Sequence, residues 1–225
     1  MSLQAELDHL VVAADTLEQG AAFIERVLGV RPQPGGQHKT MGTHNLVLRL
    51  GERQYLEVIA VDPDLPDPDR PRWFGLDGGN LQQRLRARPR LIHWVARTPD
   101  LEHAVGVAPL GAILPMSRGE YHWRITVPED GTLPGEGLVP TLIQWDAAAH
   151  PAERLPDRGC RLRALHAVHP LPDNIRQALT TLGLTEADHP WPDRGPDRHR
   201  RPSAFAARRD RDAGWDSLSG GLTLA

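Results

Sequence analysis

Two stretches of the chain, 84 residues apart, open in the same way. Residues 7–19 read LDHLVVAADTLEQ and residues 91–103 read LIHWVARTPDLEH, matching at Leu7/Leu91, His9/His93, Val11/Val95, Leu17/Leu101 and Glu18/Glu102. Each begins with an apolar run suited to a buried strand and passes directly into a helix-start signal. A chain that repeats strand-then-helix is constrained to build two like units, each with an apolar face to cover. What the repeat leaves to be explained is its odd residue, a histidine kept at the same place in an otherwise apolar strand.

The segments that follow complete each unit. In the first, Asp15 or Thr16 can cap a helix whose apolar stripe is Leu17, Ala21, Ile24 and Leu28, with Gly29 ending it. Residues 35–45, GGQHKTMGTHN, are rich in turn formers, and NLVLRLG and RQYLEVIAV read as two strands about a tight turn at 51–53. That is a βαβββ unit over residues 5–62. A Pro/Asp-rich connector with a short helix (NLQQRLRAR) occupies 63–90. The second unit, 91–150, starts its helix at Pro99 and Asp100 and continues through GAILPMSRG, EYHWRITVP and PTLIQWDAAA, with EDGTLPGEG an exposed loop by composition. Residues 161–185 repeat the strand–helix opening once more, and residues 186–225 form a Pro/Arg-rich C-terminal segment with little periodicity. The expected fold is therefore α+β: paired βαβββ modules forming a half-open barrel, with a partial third strand–helix repeat.

Composition removes several classes of function. A net charge of −3 gives no broad basic face, so nucleic acid is not an expected partner. Neither is a membrane, because no apolar run approaches the ~20 residues that span a bilayer. The N-terminus lacks the basic and apolar regions of a signal peptide, and the single cysteine, Cys160, cannot form an internal disulfide; both point to a cytoplasmic protein. Cys160 has no evident base beside it and is not assigned as a nucleophile.

Chemistry enters with the polar residues inside apolar strands. His9 and His93 lie on the first strands of the two units, and Glu57 (YLEVI) and Gln144 (LIQWD) on the last, giving separations of 48 and 51 residues. Two units related by a pseudo-two-fold axis would bring these four side chains together. Imidazole and carboxylate are ligands for divalent Zn, Fe, Mn or Ni, with an amide oxygen as a weaker one, and a cation would compensate a carboxylate buried in an apolar strand. A dication with one carboxylate leaves a net positive site that favours an anionic or enolate-like ligand. The alternatives are polar residues that merely hydrogen-bond one another, and a metal-free ligand pocket. His38, His44 and Asn45 about the MGTHN turn, Arg118 and the strand tryptophans Trp123 and Trp145 are candidate pocket residues.

The opening LDHLVVAADTLEQGAAFIERVLGV resembles that of a vicinal oxygen chelate module, the superfamily of glyoxalase I, extradiol dioxygenases and bleomycin-resistance proteins. More narrowly, GGQHKTMGTHNLVLRLGERQYLEVIAVDP with RLIHWVART and LIQW resembles the glyoxalase-like domain family, over about residues 5–185. In that superfamily metal ligands come from the first and last strands of the paired modules, which implies His9, Glu57, His93 and Gln144 here. Gln144 departs from the second glutamate that glyoxalase I uses as a base, because an amide has no usable proton affinity. Two His and one Glu match the composition of an extradiol iron site.

The resemblance implies a metal-dependent enzyme acting on a small oxygenated organic substrate, of lyase, isomerase or dioxygenase type. The alternative is a non-catalytic protein that sequesters a small molecule, as bleomycin-resistance proteins do; a third reading is a silent scaffold that binds partners through residues 186–225. The expected partner is a small-molecule substrate, and a homodimer is one way of closing the barrel.

Overall fold

The structure is a computed structural model that describes residues 3–146, 150–169, 172–184 and 221–224. In chain order its elements are β1 (Glu6–Ala13), α1 (Leu17–Leu28), β2 (Gln33–His38), β3 (Thr43–Arg49), β4 (Tyr55–Val61), α2 (Gly79–Ala87), β5 (Arg90–Arg97), α3 (Leu101–Val107), β6 (Ala112–Arg118), β7 (Tyr121–Val127), β8 (Thr141–Trp145), β9 (Leu165–Val168), α4 (Pro172–Thr181) and β10 (Gly221–Leu224). Eight strands form one sheet in the order β2-β3-β4-β1-β5-β8-β7-β6. The sheet is curled into a half-barrel, and the fold class is α+β as expected from the repeat.

The symmetry of the sequence is visible in the sheet. The parallel pairs β1–β4 and β5–β8 lie on either side of the antiparallel β1–β5 junction. Val11 stands opposite Glu57 in the first pair, and Val95 stands opposite Thr141 in the second. Strand alternation then sorts the side chains. Leu10, Val12, Leu56, Val58, Ala96 and Leu142 pack outward against the helices. Val11, Ala13, Ile59, Val95, Ile125 and Ile143 pack inward with Met116, Trp73 and Phe74.

Local signals place the helices on the outer face. The Thr16 side chain accepts from the Gln19 N–H at the start of α1, and Gly29 closes it in the left-handed conformation at φ 67°. Gly20 lets the helix sit close to the sheet, since a Cβ there would come within 2.3 Å of Val58 Cγ1. Asp100 caps α3 by accepting from the His103 N–H.

Two segments read from composition as linkers prove to be built into the barrel. In the connector, Arg72 is fixed to Asp67 and Asp77, which presents Trp73 and Phe74 to the inner face. The EDGTLPGEG segment turns back onto the molecule rather than standing free: the Gly75 N–H donates to Gly131 O, and Gly137 O contacts His93. Across the mouth, the edge strands β2 and β6 approach each other within the chain, and a Cβ at Gly36 would come within 2.9 Å of Arg118 Cγ. The third strand–helix repeat corresponds to β9 and α4, with β9 paired to β10 rather than to the main sheet. Most of the Pro/Arg-rich segment lies outside the described residues. No helix among the described residues is long and apolar enough to cross a membrane.

Candidate functional site

A small cavity of ≈ 20 Å³, room for about one or two waters or an ion, lies on the inner face of the sheet, lined from both modules and the connector. Its wall comprises His9, His38, Tyr55, Glu57, Trp73, Phe74, Arg118, Trp123 and Trp145, with Ile125 and Ile143 beneath. His9 and Glu57 meet there as expected, with His9 Nε2 3.8 Å from Glu57 Oε2. His38, at the end of β2, brings its Nε2 to 4.0 Å from the other oxygen, Oε1. Asn45 supports the carboxylate by donating Nδ2–H to Oε1 at 2.5 Å.

A register shift between Leu7 and His9 sets these positions. A bulge breaks the strict alternation of a strand, so consecutive side chains can lie together. Asp8 is thereby brought beside His9 and accepts from its Nδ1–H at 2.7 Å. Asp8 also accepts from Trp145 Nε1–H and His150 Nε2–H, each at 2.9 Å, while His150 Nδ1 accepts from the Ala152 N–H. Burial opposes ionisation of Asp8, but the hydrogen bonds from His150 and His9, with their charges, hold its carboxyl below the usual range. With Nδ1–H given to Asp8, His9 turns a bare Nε2 lone pair towards Glu57.

Neighbouring rings hold the arrangement dry. Tyr55 stacks on His9 at 4.5 Å between centroids, and burial followed by the charges of Asp8 and Glu57 raises its phenol well above the ordinary tyrosine range. His38 sits edge-on between Trp73 and Trp123 at 5.0 and 6.1 Å. Burial, then the Arg118 cation and the two histidines His9 and His44, push the His38 imidazole well below the ordinary histidine range, so it is neutral. Its Nδ1 lies 3.1 Å from Thr43 Oγ1.

The other two expected ligands do not join this cluster. His93 is fully buried, with Nδ1–H donated to Gly137 O and Nε2 3.0 Å from both the N–H and the hydroxyl of Thr141. Burial pushes its imidazole down to about 3 despite the Gly137 bond, which leaves it a neutral, saturated core residue. Gln144 is on the opposite face of β8, where it accepts from Arg124 at 2.7 Å and donates to Pro99 O at 2.7 Å. The true counterpart of Glu57 is Thr141, which follows His93 by the same 48 residues and occupies the same register.

Of the candidate pocket residues, His38, Arg118, Trp123 and Trp145 line the cavity and Asn45 backs Glu57. His44 points elsewhere, 3.4 Å from Asp62. Sequence reasoning missed Tyr55, Asp8 and His150. An acidic residue directly before a strand histidine was the one available signal for Asp8.

The curled sheet of paired βαβββ modules, with a cavity on its inner face, has the vicinal oxygen chelate fold. The chain belongs to the glyoxalase-like domain family, whose model matches residues 7–183. Among solved structures, a hypothetical protein from Staphylococcus aureus is similar at 14% identity and a TM-score of 0.56, over 80% of this chain and 75% of that one. Methylmalonyl-CoA epimerase from Mycobacterium tuberculosis is similar at 16% identity and a TM-score of 0.38, over 64% and 88%. A Streptomyces coelicolor methylmalonyl-CoA epimerase in complex with 2-nitronate-propionyl-CoA aligns at 18% identity and a TM-score of 0.40, over 67% of this chain and 100% of that one. A comparison with curated proteins finds no match.

Proposed function

We propose that the protein is a metal-dependent enzyme acting on a small oxygenated organic molecule, with His9, His38 and Glu57 as the residues that hold the ion. The observation that carries this reading is the convergence of two imidazoles on one buried carboxylate: His9 Nε2 and His38 Nε2 face its two oxygens at 3.8 and 4.0 Å. Such a set is stable in a dry cavity only with a cation or a proton between its members. Among the described residues no group of three or more His, Cys, Asp or Glu is arranged to hold a metal ion as it stands, so the reading rests on the donor types and their convergence. The donor types, two imidazoles and a carboxylate, fit a divalent transition ion or zinc.

When bound there, the ion supplies Lewis acidity to a substrate oxygen. The chain's own residues do the rest. Asp8 fixes the His9 tautomer and ring plane, Tyr55 holds the ring from its face, and Asn45 orients Glu57. Trp73, Phe74 and Trp123 exclude water and so strengthen every charge interaction within the cavity. Isomerase and lyase chemistry, in which a proton is moved beside a polarised carbonyl, suits this enclosed carboxylate and imidazole pair.

Metal analysis and zinc titration of the purified chain test the reading. About one equivalent should bind to the wild type, and His9→Ala/Glu57→Ala should lose it, whereas Gln144→Ala should bind as the wild type does. A double variant that binds metal as well as wild type would overturn it. Capture of small molecules by a metal-free protein with no product formed would support sequestration instead, to which the aromatic wall is equally suited.

A further inference from the structure

The cavity has a second chemistry that the histidines and Glu57 do not use. Arg118, at the end of β6, is only 8% exposed, yet among the described residues it makes no ion pair and no hydrogen bond. Its guanidinium carbon lies 5.9 Å from the centroid of the Tyr121 ring. Two further donors in the same wall are also unspent. The indole N–H groups of Trp73 and Trp123 are buried without a hydrogen-bond partner, although the rings are 3% and 4% exposed.

Each of these is costly alone. A largely enclosed guanidinium without an anion keeps only part of its hydration, and a buried indole N–H without an acceptor keeps none. Their proximity is what matters: all three residues line one cavity, and His38 lies between the two indoles. Glu57, the carboxylate on the wall, is not their acceptor, since it is turned to Asn45, His9 and His38. Gly36 opposite leaves the space that the Arg118 stem occupies, which a Cβ would enter.

We propose that Arg118 and the indole N–H groups of Trp73 and Trp123 form a carboxylate-binding subsite, and that the substrate is a compact 2-oxo or 2-hydroxy carboxylic acid. Its carboxylate lies on these donors and its second oxygen towards His9, His38 and Glu57. A planar guanidinium fits a carboxylate in two-point contact, and indole N–H groups complete a donor set with no acceptor in it. With only ≈ 20 Å³ of free space the cavity disfavours long-chain acids, and even a compact acid needs the wall to open on binding. The proposal rests on the reading of this cavity as the substrate site, but not on the presence of the ion.

The test is tryptophan fluorescence and calorimetry on the full chain, after chelator treatment and again after zinc loading. The probes are pyruvate and its uncharged counterpart methyl pyruvate. In the chelator-treated protein pyruvate should quench and bind at least tenfold more tightly than the ester. Arg118→Gln should weaken pyruvate at least tenfold and leave the ester unchanged, Arg118→Lys should recover part of the loss, and Trp123→Phe should cost several-fold. Arg118→Gln removes no ion pair, so unchanged circular dichroism and melting should accompany it. Equal binding of acid and ester, wild-type pyruvate affinity in Arg118→Gln, or no pyruvate binding at millimolar concentration would each overturn the proposal. Failure of the metal reading looks different: zinc does not bind, while the acid-over-ester preference persists.

Discussion

The two halves of the barrel carry the same histidine in the same register and do opposite things with it. In the first half, Asp8 takes the Nδ1 proton of His9, Glu57 stands two positions beyond the His9 pairing on β4, and Nε2 is left open. In the second, the residue matching Asp8 is Ile92, the residue matching Glu57 is Thr141, and both nitrogens of His93 are consumed, by Gly137 on one side and Thr141 on the other. The two halves share the strand, the helix cap and the imidazole, while two differing residues separate a histidine with an open nitrogen from one packed on both sides. A histidine becomes available for chemistry when a carboxylate spends one nitrogen and nothing spends the other. It becomes structural when backbone and hydroxyl groups spend both.

The largest effect should come from breaking the acidic partner of the first half. Asp8→Ala leaves the N–H groups of His9, Trp145 and His150 without their buried acceptor, and loss of a buried charge partner of this kind costs about 3–5 kcal/mol. Denaturant unfolding would measure it, and a loss below about 1 kcal/mol would show that these bonds contribute little. Asp8→Asn separates folding from site chemistry. It keeps the shape but offers a weaker acceptor to His9, so zinc affinity should fall roughly 10–100-fold, as when other outer partners of ligating histidines are lost. Unchanged affinity would mean that Asp8 does not orient His9.

The second half should be visible in the pH dependence of stability. The His93 imidazole is lowered from 6.5 to about 3, so between those values the unfolded chain binds a proton there and the folded one does not. Stability is therefore fully present above pH 6.5 and is lost as pH falls towards 3, by about 1.4 kcal/mol per pH unit for each such group. His38 shifts in the same direction and adds to the slope. Asp8, held low, adds its own loss only below its ordinary value of 3.8. His93→Gln should flatten the slope measured between pH 4 and 6 by about one proton. If the slope is unchanged, His93 is not the buried neutral group described above.

The repeat made the fold legible: strand alternation, the Thr16 and Asp100 caps and Gly29 are local signals, and each lies where the structure uses it. The meeting of His9 with Glu57 was legible for the same reason, since a carboxylate amid YLEVI has few ways to be satisfied. Gln144 is the residue of LIQW that carries a metal-donor side chain, which is why the sequence points to it. Yet a strand shows one face in every second residue, so the nearest suitable donor can lie on the wrong side. The 48-residue spacing already favoured Thr141. His38 and Arg118 were legible as pocket candidates, but the approach of His38 to Glu57, the place of Trp73 and the Asp8–His150 bond were not, because they depend on how β2 and the connector close over the mouth and on a bulge that no local pattern announces. That Arg118 lacks an anionic partner is likewise a property of the folded chain.

The smallest and most selective change is Thr141→Val, which is close in shape and removes only the hydroxyl. His93 Nε2 keeps the Thr141 backbone N–H at 3.0 Å, so one of two donors is lost and the other stays. A single neutral hydrogen bond of this kind is worth about 1 kcal/mol, and the melting temperature should fall accordingly. Zinc binding and the preference for pyruvate over its ester should not change, because neither depends on His93. If Thr141→Val instead altered metal affinity, His93 would have to exchange its core partners for the cavity, and the contrast between an open His9 and a packed His93 would fail.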